Sequence, residues 1–181
     1  MSRRFGVIRQ IAFVVRDLER ARAYWSDTLG VGPFFVLREL RPDTFRYRGA
    51  PSPPPAVTIA LANSGDVQVE LIQPLDDRPS AYRDFLASGR EGLQHVSSWL
   101  TRAEYDAACA RLAAAGVSVA HEGAMMGGGV RFAYFATDAA AGGVMYEIAD
   151  VAEPAVFPMM RMIADAAREW DGSDPVRELR L

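Results

Sequence analysis

Short runs of alternating apolar and polar residues occupy much of the chain, and such alternation is typical of β-strands with one buried face. The pattern predicts strands over residues 7–15, 34–39, 44–47, 57–62, 67–73, 93–100, 117–121, 130–136 and 144–149. Helices are predicted over residues 18–29, 80–88, 102–115 and 157–170, from capping residues and apolar positions at helical spacing. Because strands and helices interleave along the chain, we expect a mixed α+β fold.

Capping and turn residues fix the ends of several predicted elements. Asp17 and Thr101 are good N-caps, and Gly30 and Gly116 stop the helices that follow them. The prolines between residues 50 and 56 predict a loop or rim segment, because proline lacks the backbone N–H that a strand ladder needs.

The order of elements in the first half of the chain is repeated in the second half. The first strands of the two halves align with Gln10 over His95, and the last strands align with Glu70 over Glu147. We therefore expect two tandem βαβββ modules whose curled sheets form one cup. The predicted units are a first module at 1–74, a connection at 75–91, a second module at 92–150 and a C-terminal helical extension at 151–181.

The four aligned polar residues are candidates for one metal site. Strand alternation places Gln10, Glu70, His95 and Glu147 on the less apolar faces of their strands, while the opposite faces suit packing under helices. Alone, each has a structural explanation, such as a hydrogen bond within the sheet or an ion pair with arginine. Together, an amide oxygen, an imidazole and two carboxylates suit one divalent ion of Zn, Mn, Fe, Co or Ni.

The C-terminal extension has apolar residues at helical spacing and is rich in methionine. One interpretation is a helix packed on the body of the protein. The other is that its methionine face covers the site or joins a dimer, because methionine adapts to irregular surfaces.

Composition narrows the classes of partner. The chain has 181 residues, is 50% hydrophobic and carries a net charge of −3 with both signs interspersed, which predicts neither nucleic-acid nor membrane binding. One cysteine excludes an internal disulfide and suits a reducing compartment. Without an apolar run long enough for a membrane span or a secretory signal, the expected location is the cytoplasm.

The chain resembles the glyoxalase I / bleomycin-resistance / extradiol dioxygenase superfamily, also called vicinal oxygen chelate proteins. Residues 11–30 resemble the family's first strand and helix, and residues 69–96 are closest to its methylmalonyl-CoA epimerase-like branch. The resemblance implies metal ligands at Gln10, Glu70, His95 and Glu147. Gln10 with Glu70 is similar to the eukaryotic glyoxalase I set, and Gln10 departs from the ligands of the ring-cleaving dioxygenases.

The resemblance implies an enzyme that removes a proton α to a carbonyl, as an isomerase, an epimerase or a glyoxalase-type lyase. Glu147 is the leading candidate for the base, and Glu70 is the alternative base or the complementary acid. The expected partner is a small carbonyl or acyl-thioester substrate, and a homodimer is favoured. A non-catalytic protein that sequesters a small hydrophobic compound is the alternative, and an iron-dependent oxygenase is a third possibility.

Several further residues are weaker candidates for a role in the site. Aromatic and methionine residues that could line a ligand pocket are Trp99, Phe34, Phe132, Met125 and Met145. Ser97 shares the face of His95 and could support the ligands. His121 is predicted at the exposed end of a strand, and Arg131 is either an anchor for a substrate anion or a solvated strand residue.

Overall fold

The computed structural model of the chain describes residues 2–139, 142–152 and 156–180. The first half contains β1 (Ile8–Val14), α1 (Leu18–Ala23), β2 (Phe34–Leu40), β3 (Thr44–Tyr47), β4 (Ala50–Pro51), β5 (Val57–Ser64), β6 (Val67–Pro74) and α2 (Ala81–Ala87). The second half contains β7 (Gly92–Trp99), α3 (Arg102–Ala114), β8 (Val119–Met125), β9 (Val130–Phe135), β10 (Met145–Ala149), α4 (Phe157–Arg168) and β11 (Val176–Glu178).

All the strands of the described residues form one curled, unclosed sheet with the order β11-β2-β5-β6-β1-β7-β10-β9-β8-β3-β4. Within each half the first strand runs parallel to the last, so β1 pairs with β6 and β7 pairs with β10. The halves join where β1 and β7 pair antiparallel. This arrangement confirms the predicted α+β fold of repeated βαβββ units with a C-terminal helix.

A segment between β2 and β5 crosses from one half of the sheet to the other. Strand β2 pairs with β5, whereas β3, only a few residues later, pairs with β8 of the second half. Residues 41–56, called the strap below, therefore bridge the open side of the cup. The loop predicted at 50–56 is wrong at its first two residues, because Ala50–Pro51 pairs with β3 as β4.

The outer face of the sheet is apolar and packs under helices, as alternation predicts. Ile11, Phe13, Val69 and Leu71 belong to a core that includes Leu18 of α1. In the second half, Ile148 and Tyr146 pack with Tyr105 and Ala108 of α3. The polar residues of the same strands are thereby directed to the inner face.

The capping predictions are confirmed by hydrogen bonds. The Asp17 carboxylate accepts from the Arg20 backbone N–H, and Thr101 forms a reciprocal capping box with Glu104. The first predicted helix continues beyond α1 as a π-helical turn over Tyr24–Thr28. The turn predicted at 139–143 includes residues 140 and 141, which lie outside the described residues.

The strand predicted at 117–121 is displaced, because β8 begins at Val119 and continues to Met125. Pairing with β9 on one side and β3 on the other determines these bounds, and neither partner is visible in the local pattern. His121 consequently lies in the interior of the strand and is fully buried, so its predicted position at an exposed strand end is wrong.

Helix α4 lies against the inner face of the sheet. Its buried Ile163 packs with Phe35, Leu37 and Leu61 of β2 and β5. After the helix the chain returns to the sheet edge, where β11 pairs parallel to β2. None of the described helices is long and apolar enough to cross a membrane.

Candidate active site

Two neighbouring rows of side chains cross the four central strands. In the first row, Gln10 of β1 is paired with Gln68 on one side and with Ser97 on the other, and Ser97 is paired with Glu147. In the second row, Ala12 of β1 is paired with Glu70 on one side and with His95 on the other. The small, buried side chain of Ala12 leaves room for Glu70 and His95 to approach each other.

His95 is the centre of this group. Its Nε2 lies 3.6 Å from Glu70 Oε2 and 3.5 Å from Glu147 Oε2. Its Nδ1 lies 2.6 Å from Gln94 Oε1, which can only accept, so Nδ1 carries the proton in that bond. With the proton on Nδ1, a neutral ring has its lone pair on Nε2, which is the tautomer that a metal ligand requires, and a protonated ring donates from Nε2 to the two carboxylates.

A bulge in β7 places Gln94 beside His95. The register of β1 and β7 shifts between Ala12 and Phe13, so that His95 is opposite Ala12 and Leu93 is opposite Phe13. The extra residue is Gln94, which is buried, whereas Leu93 is 39% exposed. Simple alternation, which put Leu93 on the face of His95, is therefore wrong at this position.

Gln10 is held in a similar way on the other side of the site. Its Nε2 donates to Gln68 Oε1 over 2.9 Å, so its own amide oxygen is not used in this bond. Gln68 Nε2 in turn donates to Met160 Sδ of α4 over 3.6 Å. This chain of contacts connects the site directly to the C-terminal helix.

Two tyrosines extend the polar group. Tyr134 Oη of β9 lies 3.3 Å from His95 Nε2 and 2.9 Å from Tyr82 Oη of α2. Burial, with the nearby negative charges of Glu70 and Glu147, raises the pKa of both tyrosines well above their usual value. Both hydroxyls therefore remain neutral hydrogen-bond donors at neutral pH.

The carboxylates and His95 influence one another strongly. Burial raises the pKa of Glu70, and the negative charge of Glu147 adds to the increase although His95 opposes it. Burial alone lowers the pKa of His95, but hydrogen bonds and charge from Glu147 and Glu70 raise it to about 9. A cation of some kind, either the imidazolium or a bound ion, therefore stabilises this pair of buried carboxylates.

The donor atoms suit a metal ion in kind. Donors that share one ion at about 2.1 Å lie roughly 3.0–3.4 Å apart, close to the separations from His95 Nε2 to the two carboxylates. The Ser97 hydroxyl is also buried on this face and has no hydrogen-bond partner among the described residues. Among the described residues, however, no three His, Cys, Asp or Glu side chains are already arranged around a common point as a metal cluster. Binding would therefore require small rotations of the carboxylates.

An apolar pocket opens from the site into the cup. Its cavity volume is about 120 Å³, and its polar end is lined by Gln10, Gln68, Glu70 and Glu147. Tyr82 and Tyr134 also reach this end. The remaining lining is contributed by apolar residues of the sheet, the strap and α4.

Sequence and structure comparisons agree on the family. A sequence model of the Glyoxalase/Bleomycin resistance protein/Dioxygenase superfamily matches residues 9–135, which is well over half of the chain. The chain belongs to this superfamily. The match ends before β10, so it includes Gln10, Glu70 and His95 but not Glu147. A search of curated proteins finds no match.

Solved structures share the superfamily fold with this chain. A methylmalonyl-CoA epimerase from Mycobacterium tuberculosis is 22% identical with a TM-score of 0.58, covering 83% of this chain and 91% of its own. A hypothetical protein from Bacillus halodurans is 19% identical with a TM-score of 0.55, covering 80% and 93%. The Streptomyces coelicolor methylmalonyl-CoA epimerase, solved with 2-nitronate-propionyl-CoA, is 21% identical with a TM-score of 0.54, covering 84% and 97%. At identities of 19–22%, these comparisons show that the fold is shared.

Most of the residues predicted for the site lie together at the polar end of the pocket, and a few lie elsewhere. Glu70, His95 and Glu147 meet directly, and Gln10 lines the same pocket end. Of the predicted aromatic and methionine lining, Trp99, Phe132 and Met125 line the pocket. Phe34 instead packs in the outer core under α1, and Met145 contacts Gln94.

Arg131 lies away from the pocket. Its guanidinium pairs with Asp150 and Asp106 and stacks over the Tyr105 ring on the outer side of the sheet. These contacts explain the residue structurally, so the interpretation as a substrate anchor finds no support in the described structure.

Sequence reasoning did not identify four residues of the site, which are Gln68, Gln94, Tyr82 and Tyr134. Only Gln68 could have been found from the sequence, since it shares a strand face with Glu70. Gln94 depends on the bulge, and the two tyrosines depend on packing between α2 and β9, which no local pattern encodes.

Proposed function

We propose that this protein is a metal-dependent enzyme that abstracts a proton α to a carbonyl group, as an isomerase, an epimerase or a glyoxalase-type lyase. The observation that carries the proposal is the pair of buried carboxylates, Glu70 and Glu147, that both approach Nε2 of the buried His95. Among the described residues, neither carboxylate forms an ion pair with arginine, and both share the one imidazole.

The ion would be held by Gln10, Glu70, His95 and Glu147, with Gln94 and Gln68 orienting two of these ligands. Two carboxylates balance the charge of one divalent cation, and the donor set suits Zn, Ni, Co, Mn or Fe. When bound, the ion supplies Lewis-acid stabilisation of the negative charge that develops on the carbonyl oxygen.

Glu147 is the proposed base. It is buried at the polar end of the pocket, where an α-carbon of the substrate lies beside it if the carbonyl points toward His95. Glu70 approaches the same Nε2 atom of His95 and is the alternative base or the partner acid. Two carboxylates beside one substrate would suit epimerisation, in which a proton leaves one face and returns to the other.

Tyr82 and Tyr134 would complete the polar end. Because both stay protonated, they can donate to an oxygen that gains negative charge as the proton leaves. The apolar walls exclude water, which strengthens these interactions. The carbonyl is that of a ketone or of an acyl thioester, and the epimerase structures of similar fold motivate the thioester.

Exchange of substrate α-protons with deuterated water, followed by NMR, tests the proposal. The wild-type protein should catalyse exchange on nonan-2-one or on methylmalonyl-CoA, and Glu147→Gln should lose turnover by about a hundredfold or more while it retains most substrate binding. Undiminished exchange by Glu147→Gln would remove Glu147 from the role of base.

A non-catalytic protein that sequesters a small hydrophobic compound is the second candidate. The observation that favours it is the predominance of apolar side chains in the pocket, including Met159 and Met160 of α4. Tight binding of an apolar ligand without α-proton exchange, in protein that is loaded with metal, would support this candidate over the enzyme.

A further inference from the structure

We propose that the pocket takes an uncharged carbonyl compound with an aliphatic or aromatic body, and not a carboxylate-bearing ester of coenzyme A. This inference rests on the proposed function and specifies the substrate class of the same site. It is carried by the separation of polar and apolar lining, by the lack of arginine and lysine among the described lining residues, and by the two elements that cover the pocket.

The polar lining is confined to one end of the pocket. The amide, carboxylate and hydroxyl groups there belong to residues that surround His95. Away from that end, Leu37, Ile59 and Leu61 of the sheet form one wall, and Phe132 and Trp99 line another part. This arrangement matches a ligand with one polar group and an otherwise apolar body, because the polar group would contact polar side chains and the body would contact apolar ones.

A second negative group on the ligand would have no partner. No arginine or lysine belongs to the part of the described chain that lines the pocket, and the only charged lining residues there are Glu70 and Glu147. Burying a carboxylate without a cation or hydrogen bonds is strongly unfavourable, and two like charges nearby make it more so.

Two arginines of the strap that neighbour the lining residues Pro42 and Phe45 in sequence are already paired with acidic residues. Arg41 contacts Asp76 at 3.0 Å and the Pro54 carbonyl, and Arg46 contacts Glu122 at 3.3 Å. Both arginines are about half exposed on the outside of the strap. They are therefore not oriented to receive an anion within the pocket.

Helix α4 and the strap cover the apolar end. Val156, Met159 and Met160 contribute lining from the helix side, and Pro42 and Phe45 contribute it from the strap. Met160 also accepts the hydrogen bond from Gln68, so the covering helix is connected to the ligand set itself. Flexible methionine side chains can adapt to an apolar ligand of variable shape, but they offer nothing to a phosphate or an adenine.

A matched pair of ligands tests this inference on the wild-type protein loaded with Zn²⁺. Nonan-2-one and 8-oxononanoate differ only in the replacement of a terminal methyl group by a carboxylate. Calorimetric titration should show nonan-2-one binding at least tenfold more tightly than 8-oxononanoate and than methylmalonyl-CoA. Equal or tighter binding of either anion, or no binding of nonan-2-one, would overturn the inference.

A variant pair locates the effect in the pocket. Met159→Arg introduces a cation into the lining away from Gln68, so it should weaken nonan-2-one and strengthen 8-oxononanoate by about tenfold each. Met162→Arg is the control, because Met162 lies on the same helix but is 42% exposed. It should leave the preference unchanged, and an unchanged preference in a folded Met159→Arg protein would count against the assignment.

The titrations, taken together with the NMR measurement of α-proton exchange, separate this inference from the proposed function. Selective binding of nonan-2-one without α-proton exchange supports the ligand class and argues against the enzyme. Exchange on methylmalonyl-CoA that is faster than on nonan-2-one supports the enzyme and overturns the ligand class.

Discussion

At the scale of single residues, the site depends on how His95 and Gln10 are oriented by glutamines. Gln94 accepts from His95 Nδ1, and Gln68 accepts from the Gln10 amide. Each glutamine also donates to a methionine sulfur, that of Met145 or Met160. The two first-strand residues of the repeat are therefore oriented by equivalent contacts, although the supporting residues do not align in sequence.

Gln94→Ala should weaken metal binding roughly 10–100-fold, because His95 loses the acceptor that fixes its tautomer and ring orientation. Competition with a metal chelator measures the change. Gln94→Glu keeps an acceptor oxygen and should restore most of the affinity. Wild-type affinity in the alanine variant would show that Gln94 does not orient His95.

Tyr134→Phe should slow α-proton exchange about 10–100-fold at unchanged metal content, because it removes a hydroxyl beside His95 Nε2 while retaining the ring. Tyr146→Phe is the control, since the Tyr146 hydroxyl also hydrogen-bonds, to Ser98 Oγ, but the ring belongs to the outer core under α3. Equal losses in the two variants would indicate a general effect on folding.

His121 provides a prediction about pH. Burial, with the charge of His95, lowers the pKa of His121 to about 3, and its Nδ1 accepts from the Ala81 backbone N–H. The unfolded chain takes up this proton near pH 6.5 and the folded chain does not. The contribution of His121 to stability is therefore complete above pH 6.5 and is lost as the pH falls toward 3.

His121→Gln, which keeps an acceptor but cannot titrate, should reduce the loss of unfolding free energy below pH 6 by about 1.4 kcal/mol per pH unit. Urea unfolding at several pH values between 6 and 4 measures this slope. Identical slopes in the variant and the wild-type protein would mean that His121 is protonated in the folded state.

The central site residues were predictable because their positions follow from the repeat, which places Gln10 with His95 and Glu70 with Glu147. The supporting residues were not, because a bulge determines Gln94 and long-range packing determines Tyr82. Whether the four residues bind a metal stays a prediction.

At the scale of elements, helices were better predicted than the edge strands. Capping residues act within a few positions, so Asp17 and Thr101 mark their helices directly. The bounds of β8 and the existence of β4 depend on pairing with β3, which is contributed by a distant part of the chain. The strap was therefore recognised as irregular and proline-rich, but its path across the cup was not.

Helix α4 should contribute substantially to stability through Ile163. This side chain is fully buried against β2 and β5, so Ile163→Ala should lower the unfolding free energy by about 2–4 kcal/mol. Met162→Ala, at an exposed position of the same helix, should change it by less than about 0.5 kcal/mol. Chemical denaturation measures both, and a small effect at Ile163 would mean that α4 is only loosely attached.

At the scale of the whole molecule, the antiparallel contact between β1 and β7 brings the two halves together at the site. Each half contributes one first-strand residue and one glutamate, so neither half alone contains the complete set. The predicted unit boundaries at 74, 91 and 150, and the predicted homodimer, stay predictions.

The proposed function depends on the binding of one divalent metal ion by the convergent residues of the two halves. Mass spectrometry should measure the metal content of wild-type and Glu147→Gln protein purified without added metal. We expect about one Zn, Ni, Co, Mn or Fe per wild-type chain and clearly less in the variant. No bound metal in the wild-type protein, even after each of these ions is added, would show that these residues do not form a metal site.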